Sequence, residues 1–529
     1  MRIDHRFTPC FSERAMEGTG SGPYFDPDFD FLVERINPRV CIDNETCEDC
    51  TLVKVDSANR NGILLEMVQL LTDLDLVISK SYISSDGGWL MDVFHVGDRL
   101  GNKLTDPDLI RYIQQSLVSG QKGARSADEV TTCLGKLVGP GQLASEHAAV
   151  EITATDRPGL LSEIAAVLAE LHCHVACAQA WTHNSCAAVI LYVIDEPTRR
   201  PIADADRLAH VEQQVDSVVG AHHEPGERRR VKVSGPMPGR VHMERRLHQL
   251  MYEEGDYETG PPPPPANGDQ FADANLEARR DNVLFLWSPS SSSSTVLRTR
   301  ASIDSWKERG YTVVNIQSRD RPKLLFDTVC TLTDMKYVVY HAAVGSRGPL
   351  AVQEYYVRRM DGCTLDTESE RQKVSRCLVA AVERRACHGW RLDISTRDRR
   401  GLLSDITRVL RENGLSLTMA ECATRGERAV GTFYVTDASG GGNVDPKSMD
   451  AVREELGESV TLVVRAGGWG CAKSNCSTSS STTLSPSLST SSSVDGDRSR
   501  IMTSLGSSLG SLLWSHIERL SSNFGSIRS

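Results

Sequence analysis

The sequence DRPGLLSEIAAVL, which begins at Asp156, has three ungapped counterparts elsewhere in the chain. They are NRNGILLEMVQLL from Asn59, DRPKLLFDTVCTL from Asp320 and DRRGLLSDITRVL from Asp398. Arginine is the second residue of every copy, a carboxylate is the eighth, and leucine occupies the sixth and thirteenth positions. An internal repeat of this kind predicts four copies of one structural unit.

Each copy is predicted to join a strand to a helix. Apolar residues at the sixth, mostly the ninth, and the thirteenth positions have the spacing of an amphipathic helix with one buried stripe. The preceding runs CTLVKVD, AAVEITA, YTVVNIQ and WRLDIST alternate apolar and polar residues, as half-buried strands do. The shared carboxylate falls near the first helical turns, where it favours the positive end of the helix dipole.

The residues that follow each helix complete the predicted unit. Two β-rich runs and a second helix come next, and a closing strand is visible as VTLVVRA in the last unit. The order strand, helix, strand, strand, helix, strand is typical of the ferredoxin-like fold. The predicted fold class is therefore α+β, with four ferredoxin-like βαββαβ units whose antiparallel four-stranded sheets carry their helices on one face. We expect the units to pair, because pairing covers exposed sheet edges.

The connectors predict which units pair. The third unit runs into the fourth with almost no connector, and only residues 120–145 separate the first from the second, which favours pairing first with second and third with fourth. The interval between the second and third units contains PPPPP and SPSSSSS, which are typical of flexible linkers. Within that interval, MERRLHQLMYEEGDYE from Met243 is expected to form a helix that docks on a unit.

These features give seven predicted segments. They are a partly disordered N-terminal lead (1–45), the first unit (46–140), the second unit (147–235), a linker with the helical segment (236–308), the third unit (309–388), the fourth unit (389–466), and a Ser-rich disordered tail with a short terminal helix (467–529).

The repeats look like ACT domains, and their arrangement resembles the plant ACT-domain-repeat proteins. Beyond the repeats, the resemblance rests on YFDPDFDFLVERINP, RRLHQLMYEEGDYE, QEYYVRRMDG and the final NFGSIRS, and it covers nearly the whole chain from Tyr24 apart from the linkers. It implies amino-acid binding or sensing, at interfaces between paired units, and a regulatory role in plant cells. The units are also similar to the ACT modules of bacterial uridylyltransferases. The first fifteen residues do not match, which makes Met16 an alternative start.

The turn between strand and helix is the candidate ligand site. Free backbone N–H groups at a helix N-terminus can receive a carboxylate such as that of an amino acid, and glycine allows close approach. The candidate ligand-binding residues are Asn59, Arg60, Gly62, Asp156, Arg157, Gly159, Asp320, Arg321, Asp398, Arg399 and Gly401. The third unit has Lys323 in place of glycine, which puts its site in doubt.

A structural interpretation of the same residues remains open. The four Asp and Asn residues that begin the repeats can cap the helices, Pro158 and Pro322 suit a first helical turn, and the arginines can pair with nearby acids. On that interpretation the units form a protein-interaction scaffold that no longer binds a ligand. Partners of either kind remain open: a small-molecule amino acid, another protein, or a second copy of the chain through its ACT units.

Composition and motifs disfavour other classes of protein. The chain has 70 acidic and 59 basic residues and a formal charge of −11, which gives no general attraction for nucleic acid or anionic membrane. It contains no apolar run long enough to cross a membrane and no signal-peptide core, so we expect a cytoplasmic protein. The basic cluster Arg228, Arg229, Arg230 and Lys232 leaves the nucleus as an alternative.

Neither catalysis nor a cofactor is implied by the motifs. No P-loop, G-x-S-x-G or H-E-x-x-H sequence is present. Gly20 and Ser21, followed by Asp26, Asp28 and Asp30, superficially resemble a nucleotidyltransferase site but lie in a short Pro/Gly-rich lead without a surrounding catalytic domain. Cys47 and Cys50 form a single C-x-x-C, whereas a structural zinc site needs a second pair of ligands. We therefore expect a non-catalytic protein without a metal.

Overall fold

A computed structural model of the chain describes residues 39–86, 88–119, 130–133, 137–138, 146–222, 226–236, 242–259, 298–385, 389–439, 444–457 and 459–466. The predicted N-terminal lead up to residue 38, the Pro-rich and Ser-rich parts of the linker, and the predicted tail with its terminal helix lie outside these residues.

Two eight-stranded antiparallel sheets dominate the described structure. The first has the strand order β1-β2-β4-β3-β13-β14-β12-β11 and the second has the order β10-β7-β9-β8-β16-β17-β15-β18. The strands are β1 (Arg39–Asp43), β2 (Thr51–Ala58), β3 (Val77–Asp86), β4 (Trp89–Gly97), β5 (Val130–Thr131), β6 (Leu137–Val138), β7 (Ala148–Thr155), β8 (Cys173–His183), β9 (Cys186–Asp195), β10 (Arg230–Ser234), β11 (Arg300–Trp306), β12 (Tyr311–Arg319), β13 (Tyr337–Arg347), β14 (Leu350–Arg359), β15 (Trp390–Arg397), β16 (Leu415–Arg425), β17 (Arg428–Asp437) and β18 (Thr461–Ala466).

The helices pack mainly on one face of each sheet. They are α1 (Ile63–Asp73), α2 (Pro107–Ser119), α3 (Leu160–Glu170), α4 (Ala205–Gly220), α5 (Met243–Glu254), α6 (Leu324–Asp334), α7 (Glu368–Glu383), α8 (Leu402–Glu412) and α9 (Pro446–Leu456). One core joins the first sheet to α1, α2, α6 and α7, and another joins the second sheet to α3, α4, α8 and α9. The repeat leucines supply part of this packing; Leu168 and Leu332, for example, are fully buried.

The predicted fold class is confirmed, with one difference in strand order. The second and fourth units have the predicted order βαββαβ, closed by β10 and β18. In the first and third units the outer strand comes first instead: β1 and β11 precede the repeat and pair antiparallel with β2 and β12. In all four units the outer strand pairs with the strand that precedes the repeat helix, whether the outer strand comes first or last in the unit. Both strands lie before the predicted unit boundaries at residues 46 and 309.

The predicted pairing of units is wrong. The first unit pairs with the third through β3 and β13, and the second pairs with the fourth through β8 and β16. Units with the same strand order therefore join edge to edge. The two edge strands that join lie at the centre of one continuous antiparallel sheet. The third and fourth units follow each other closely in the sequence, yet they belong to different sheets. A short connector therefore does not indicate here that the two units share a sheet.

Helix α5 fills the space between the two layers, which confirms the predicted helix and its docking. Its residues Leu247, Leu250 and Met251 pack on the face of the second sheet opposite α3 and α8, against Trp181 and Met419. The other side of α5 contacts α6 of the first layer. None of the described helices is long and apolar enough to span a bilayer.

Candidate functional site

The four candidate turns (59–62, 156–159, 320–323 and 398–401) are called the first to fourth turns and share one backbone conformation. The residue just before each helix is left-handed, with φ of 86° at Gly62, 88° at Gly159, 65° at Lys323 and 70° at Gly401. Glycine adopts this conformation without the steric cost that other residues bear. The four left-handed residues occupy the N-cap positions and make no side-chain cap hydrogen bond, so the Asp and Asn residues that begin the repeats are not the N-caps of these helices.

The Asp and Asn residues instead hold the turns against the sheet through their backbones. Each donates its N–H to a carbonyl at the tip of the next β-hairpin, and the distances are 2.6 Å for Asn59, 2.9 Å for Asp156, 2.8 Å for Asp320 and 2.7 Å for Asp398. The carboxylates of Asp156 and Asp320 accept hydrogen bonds from the next backbone N–H and from Thr182 and Ser346, respectively. Burial raises the pKa of Asp156 to about 6 and also raises the pKa of Asp320.

The repeat arginine pairs with the repeat carboxylate in every unit. Arg157 contacts Glu163 at 2.6 Å, Arg321 contacts Asp327 at 2.7 Å, and Arg399 contacts Asp405 at 2.6 Å; Arg60 and Glu66 form the corresponding pair. The hydrogen bond from Arg157 lowers the pKa of Glu163. The pairs differ in environment, since the Arg60 side chain is 49% exposed and that of Arg321 is 3% exposed.

The fourth turn lines a cleft between the second and fourth units. This fourth cleft has about 600 Å³ of atom-free space, part of it continuous with solvent. Asp398, Arg399 and Gly401 lie on one side of it, and β8 and α3 of the second unit form the other. His174 of β8 is buried and lies with its Nε2 3.0 Å from Asp398 Oδ2, so the two units meet directly at this turn.

The second turn lines an equivalent cleft against α8. This second cleft has about 490 Å³ of atom-free space and is lined by Asp156, Arg157, Gly159 and Trp181, with Arg411 contributed by the fourth unit. A Cβ at Gly159 would lie 2.6 Å from Arg411 Cδ, so glycine is needed here for close approach of that side chain. Arg157 Nε is buried and has no acceptor within the described part of the chain.

The third turn is closed by the protein's own side chains. Lys323 Nζ lies 2.5 Å from Glu244 Oε1 of α5, and Arg321 donates to the Val382 carbonyl at 2.6 Å. Burial alone raises the pKa of Glu244, but Arg385 and Lys323 outweigh burial and hold it well below its usual range. The doubt that Lys323 placed on this site is thus supported, because its ammonium group already has a carboxylate partner.

A charged cluster surrounds the third turn, and we call it the clamp: the buried residues Glu244, His248, Asp256, Arg321, Asp327, Arg384 and Arg385, with the partly buried Lys323. Arg385 donates to both Asp327 and Glu244, and His248 lies 2.8 Å from Asp327. The Arg385 guanidinium also lies 4.6 Å from the centre of the Trp181 ring, which belongs to the second sheet. The clamp therefore joins α5 and the two layers.

The first turn is the most open of the four. Nothing lies within 4 Å of a Cβ built on Gly62, and the side chains of the Arg60–Glu66 pair are 49% and 37% exposed. The structure therefore brings together the candidate residues of the second turn with α8, and those of the fourth turn with β8 and α3. It leaves those of the first turn near the surface, buries Arg321 of the third turn and half-buries Asp320.

Sequence reasoning missed the residues that reach the turns from other units. His174, Arg411 and Glu244 do not belong to the D-R-x-G pattern, and their positions follow from the pairing of units and from the docking of α5. The four-residue spacing of Glu244 and His248 on a helix was an available signal, since it puts both on one face.

The two remaining sequence motifs also have definite positions. Cys47 Sγ lies 3.1 Å from Cys50 Sγ, and no group of three or more metal-ligating side chains is assembled within the described residues. The basic cluster lies at and just before β10, where Arg229 pairs with Asp216 and Arg230 pairs with Glu253. The Gly-Ser and Asp motif at residues 20–30 lies outside the described residues.

Comparison with known proteins identifies the family. A family model for the ACR family N-terminal ACT domain matches residues 46–124, and one for the ACT domain matches residues 390–457. The chain is 47% identical over 511 residues to the ACT domain-containing protein ACR1 of Arabidopsis thaliana, covering 96% of this chain and 98% of that protein. It is 48% identical over 442 residues to ACR3 of the same plant, covering 83% and 90%. The chain belongs to the ACT-domain-repeat family.

A more distant relative is an enzyme. The bifunctional uridylyltransferase/uridylyl-removing enzyme of Gluconobacter oxydans is 34% identical over 90 residues, which is 17% of this chain and 10% of that protein. The matched stretch is about as long as one unit of this chain. The plant ACT-domain-repeat proteins, by contrast, match this chain across most of its length.

Proposed function

We propose that this ACT-domain-repeat protein is a non-catalytic regulatory protein that binds a free amino acid in the second and fourth clefts. The proposal rests on one observation: two equivalent clefts, each lined by a D-R-x-G turn, lie between units that share a sheet. A ligand that binds between two units can favour one arrangement of those units over another. Such a coupling between ligand binding and conformation is what a regulatory module requires.

The chemistry of the second cleft suits an amino acid zwitterion. The Arg157 Nε–H group, which has no acceptor among the described residues, and the helix N-terminus beside it can receive a carboxylate. Asp156 supplies a carboxylate for the ammonium group. Because burial raises the pKa of Asp156 to about 6, it is fully ionised only above that pH. We therefore expect affinity to fall as the pH drops below 6.

Calorimetric titration of the intact chain with the twenty amino acids tests this function. We expect heat of binding for one or a few of them and weaker binding in Arg157→Ala. The matched control is Arg60→Ala, which removes the same repeat residue from the exposed first turn and should leave affinity unchanged. Arg60→Ala should retain nearly wild-type thermal stability, because a half-exposed ion pair contributes about 0–1 kcal/mol. Arg157→Ala should lose little more, because Glu163, which keeps 27% of its side chain exposed, can be hydrated once its partner is removed.

The alternative is a protein-interaction scaffold whose ACT units no longer bind a ligand. The closed third turn favours this role for the pair formed by the first and third units, because its charged groups already satisfy one another. No heat with any amino acid, together with recovery of a stable protein partner, would support the scaffold. A large loss of melting temperature in Arg157→Ala with unchanged affinity would make that arginine structural.

A further inference from the structure

The second and fourth clefts can be compared position by position, because the same repeat residues line both. One difference lies on the helix that covers the turn. Arg411 of α8 lies over Gly159 in the second cleft, whereas the equivalent residue over Gly401 in the fourth cleft is Ala169 of α3, whose Cβ lies 3.8 Å from a Cβ built on Gly401. The second cleft thus receives a guanidinium group where the fourth receives a methyl group.

Another difference lies on the sheet beneath the turn. Gly431 pairs with Ile394 across β17 and β15, and the equivalent positions in the other three units are Asp92, Val189 and Gln353. A Cβ at Gly431 would lie 2.8 Å from Phe433 Cε2 and 3.1 Å from Cys422 Sγ. Only glycine lets the Phe433 ring lie against the strand at this point, and both residues line the fourth cleft.

The charged groups of the fourth cleft are already paired near the turn. His174 contacts Asp398 at 3.0 Å, and Arg399 contacts Asp405 while remaining 58% exposed. The lining farther along the sheet and helices is mainly apolar and uncharged; it includes Ile394, Leu402, Ile406, Cys422 and Phe433, with the hydroxyl groups of Thr396, Ser404 and Thr424. A charged or amide side chain placed there would lose its hydration without gaining an equivalent partner.

We propose that the fourth cleft selects an amino acid with a large apolar side chain, which packs against Phe433 under the methyl group of Ala169. This inference rests on the proposed function, since it concerns the same site. The two clefts consequently differ in charge: Arg157 and Arg411 both line the second cleft, whereas among the described residues Arg399 alone contributes a guanidinium group to the lining of the fourth.

Calorimetry with L-leucine and L-phenylalanine, compared with L-aspartate and L-glutamine, tests the selectivity. The key variant is Ala169→Arg, which places an arginine over Gly401 as Arg411 lies over Gly159. Ala169 is a partly exposed helix position, so the variant should fold, and circular dichroism checks that it does. We expect affinity for the apolar amino acid to fall by about tenfold or more, the size of effect that a lost apolar contact has in a binding pocket.

Glu170→Gln is the matched control, because it adds one unit of positive charge to the same helix at an exposed position that lines neither cleft, and it should leave this affinity unchanged. Gly431→Val is a second variant that should displace the Phe433 ring and weaken the same binding. Tighter binding of L-aspartate or L-glutamine, or unchanged leucine and phenylalanine affinity in folded Ala169→Arg, would overturn this inference and leave the proposed function standing. Absence of heat with all twenty amino acids would overturn the proposed function itself.

Discussion

Arg321 and Asp327 occupy the same repeat positions as Arg399 and Asp405, yet their surroundings differ. Asp327 is fully buried and contacts Arg321, Arg385 and His248, whereas the Asp405 side chain is 38% exposed. Burial alone raises the pKa of Asp327, but Arg385 and Arg321 outweigh it and hold the pKa well below its usual range. The same pair is therefore part of the clamp in one unit and a surface ion pair in another.

Replacing Asp327 and Asp405 one at a time distinguishes a carboxylate that stabilises the clamp from one that forms a surface ion pair. Asp327→Asn leaves two buried guanidinium groups with less compensating charge and should reduce the free energy of unfolding by about 3–5 kcal/mol. Asp405→Asn, the matched control, should reduce it by less than about 1 kcal/mol. Urea denaturation followed by circular dichroism measures both. Equal effects of the two substitutions would show that the clamp does not stabilise the fold.

At the residue scale, the sequence predicts only what the repeat itself contains. The arginine and the carboxylate of all four repeats, and the glycine of three of them, are recognisable because they recur. Arg411, Ala169 and His174 could not be assigned to the turns, since they come from the partner unit and their roles depend on which units pair. The altered environment of the third turn could be predicted from the sequence, because Lys323 replaces the repeat glycine at a position whose backbone is left-handed.

At the element scale, the sequence predicts that α5 is a helix but does not predict the surface on which it docks. Its apolar and polar spacing predicts a helix, and the structure places it where predicted in the sequence. Its docking surface, which includes Trp181 and Met419, exists only after β8 and β16 have paired. The outer strands β1 and β11 were likewise not assigned to their units, because the closing strand was expected after the second helix.

Substitutions in α5 test its place between the layers. Leu247 is fully buried against the second sheet, so Leu247→Ala should cost about 2–5 kcal/mol. Glu253→Ala, on the exposed side of the same helix, is the control and should cost less than about 1 kcal/mol despite its pairs with Arg230 and Arg246. Thermal unfolding measures both; a neutral Leu247→Ala would mean that α5 does not dock there.

At the scale of the whole molecule, the pairing of units interlocks the two halves of the chain. Each sheet combines one unit from before residue 260 with one from after residue 297. A protease site inserted between those residues and then cut should give two fragments that stay together in size-exclusion chromatography without denaturant. Separation of the fragments into two folded halves would instead favour pairing of the first unit with the second and the third with the fourth.

Hydrogen–deuterium exchange of the intact chain, with and without the amino acid that gives the largest heat of binding, locates the ligand directly. We expect slower exchange at residues 156–163, at 398–405, or at both, and unchanged exchange at 320–327, where the clamp already closes the turn. Slower exchange confined to residues 59–66 or 320–327 would contradict a ligand site between the second and fourth units.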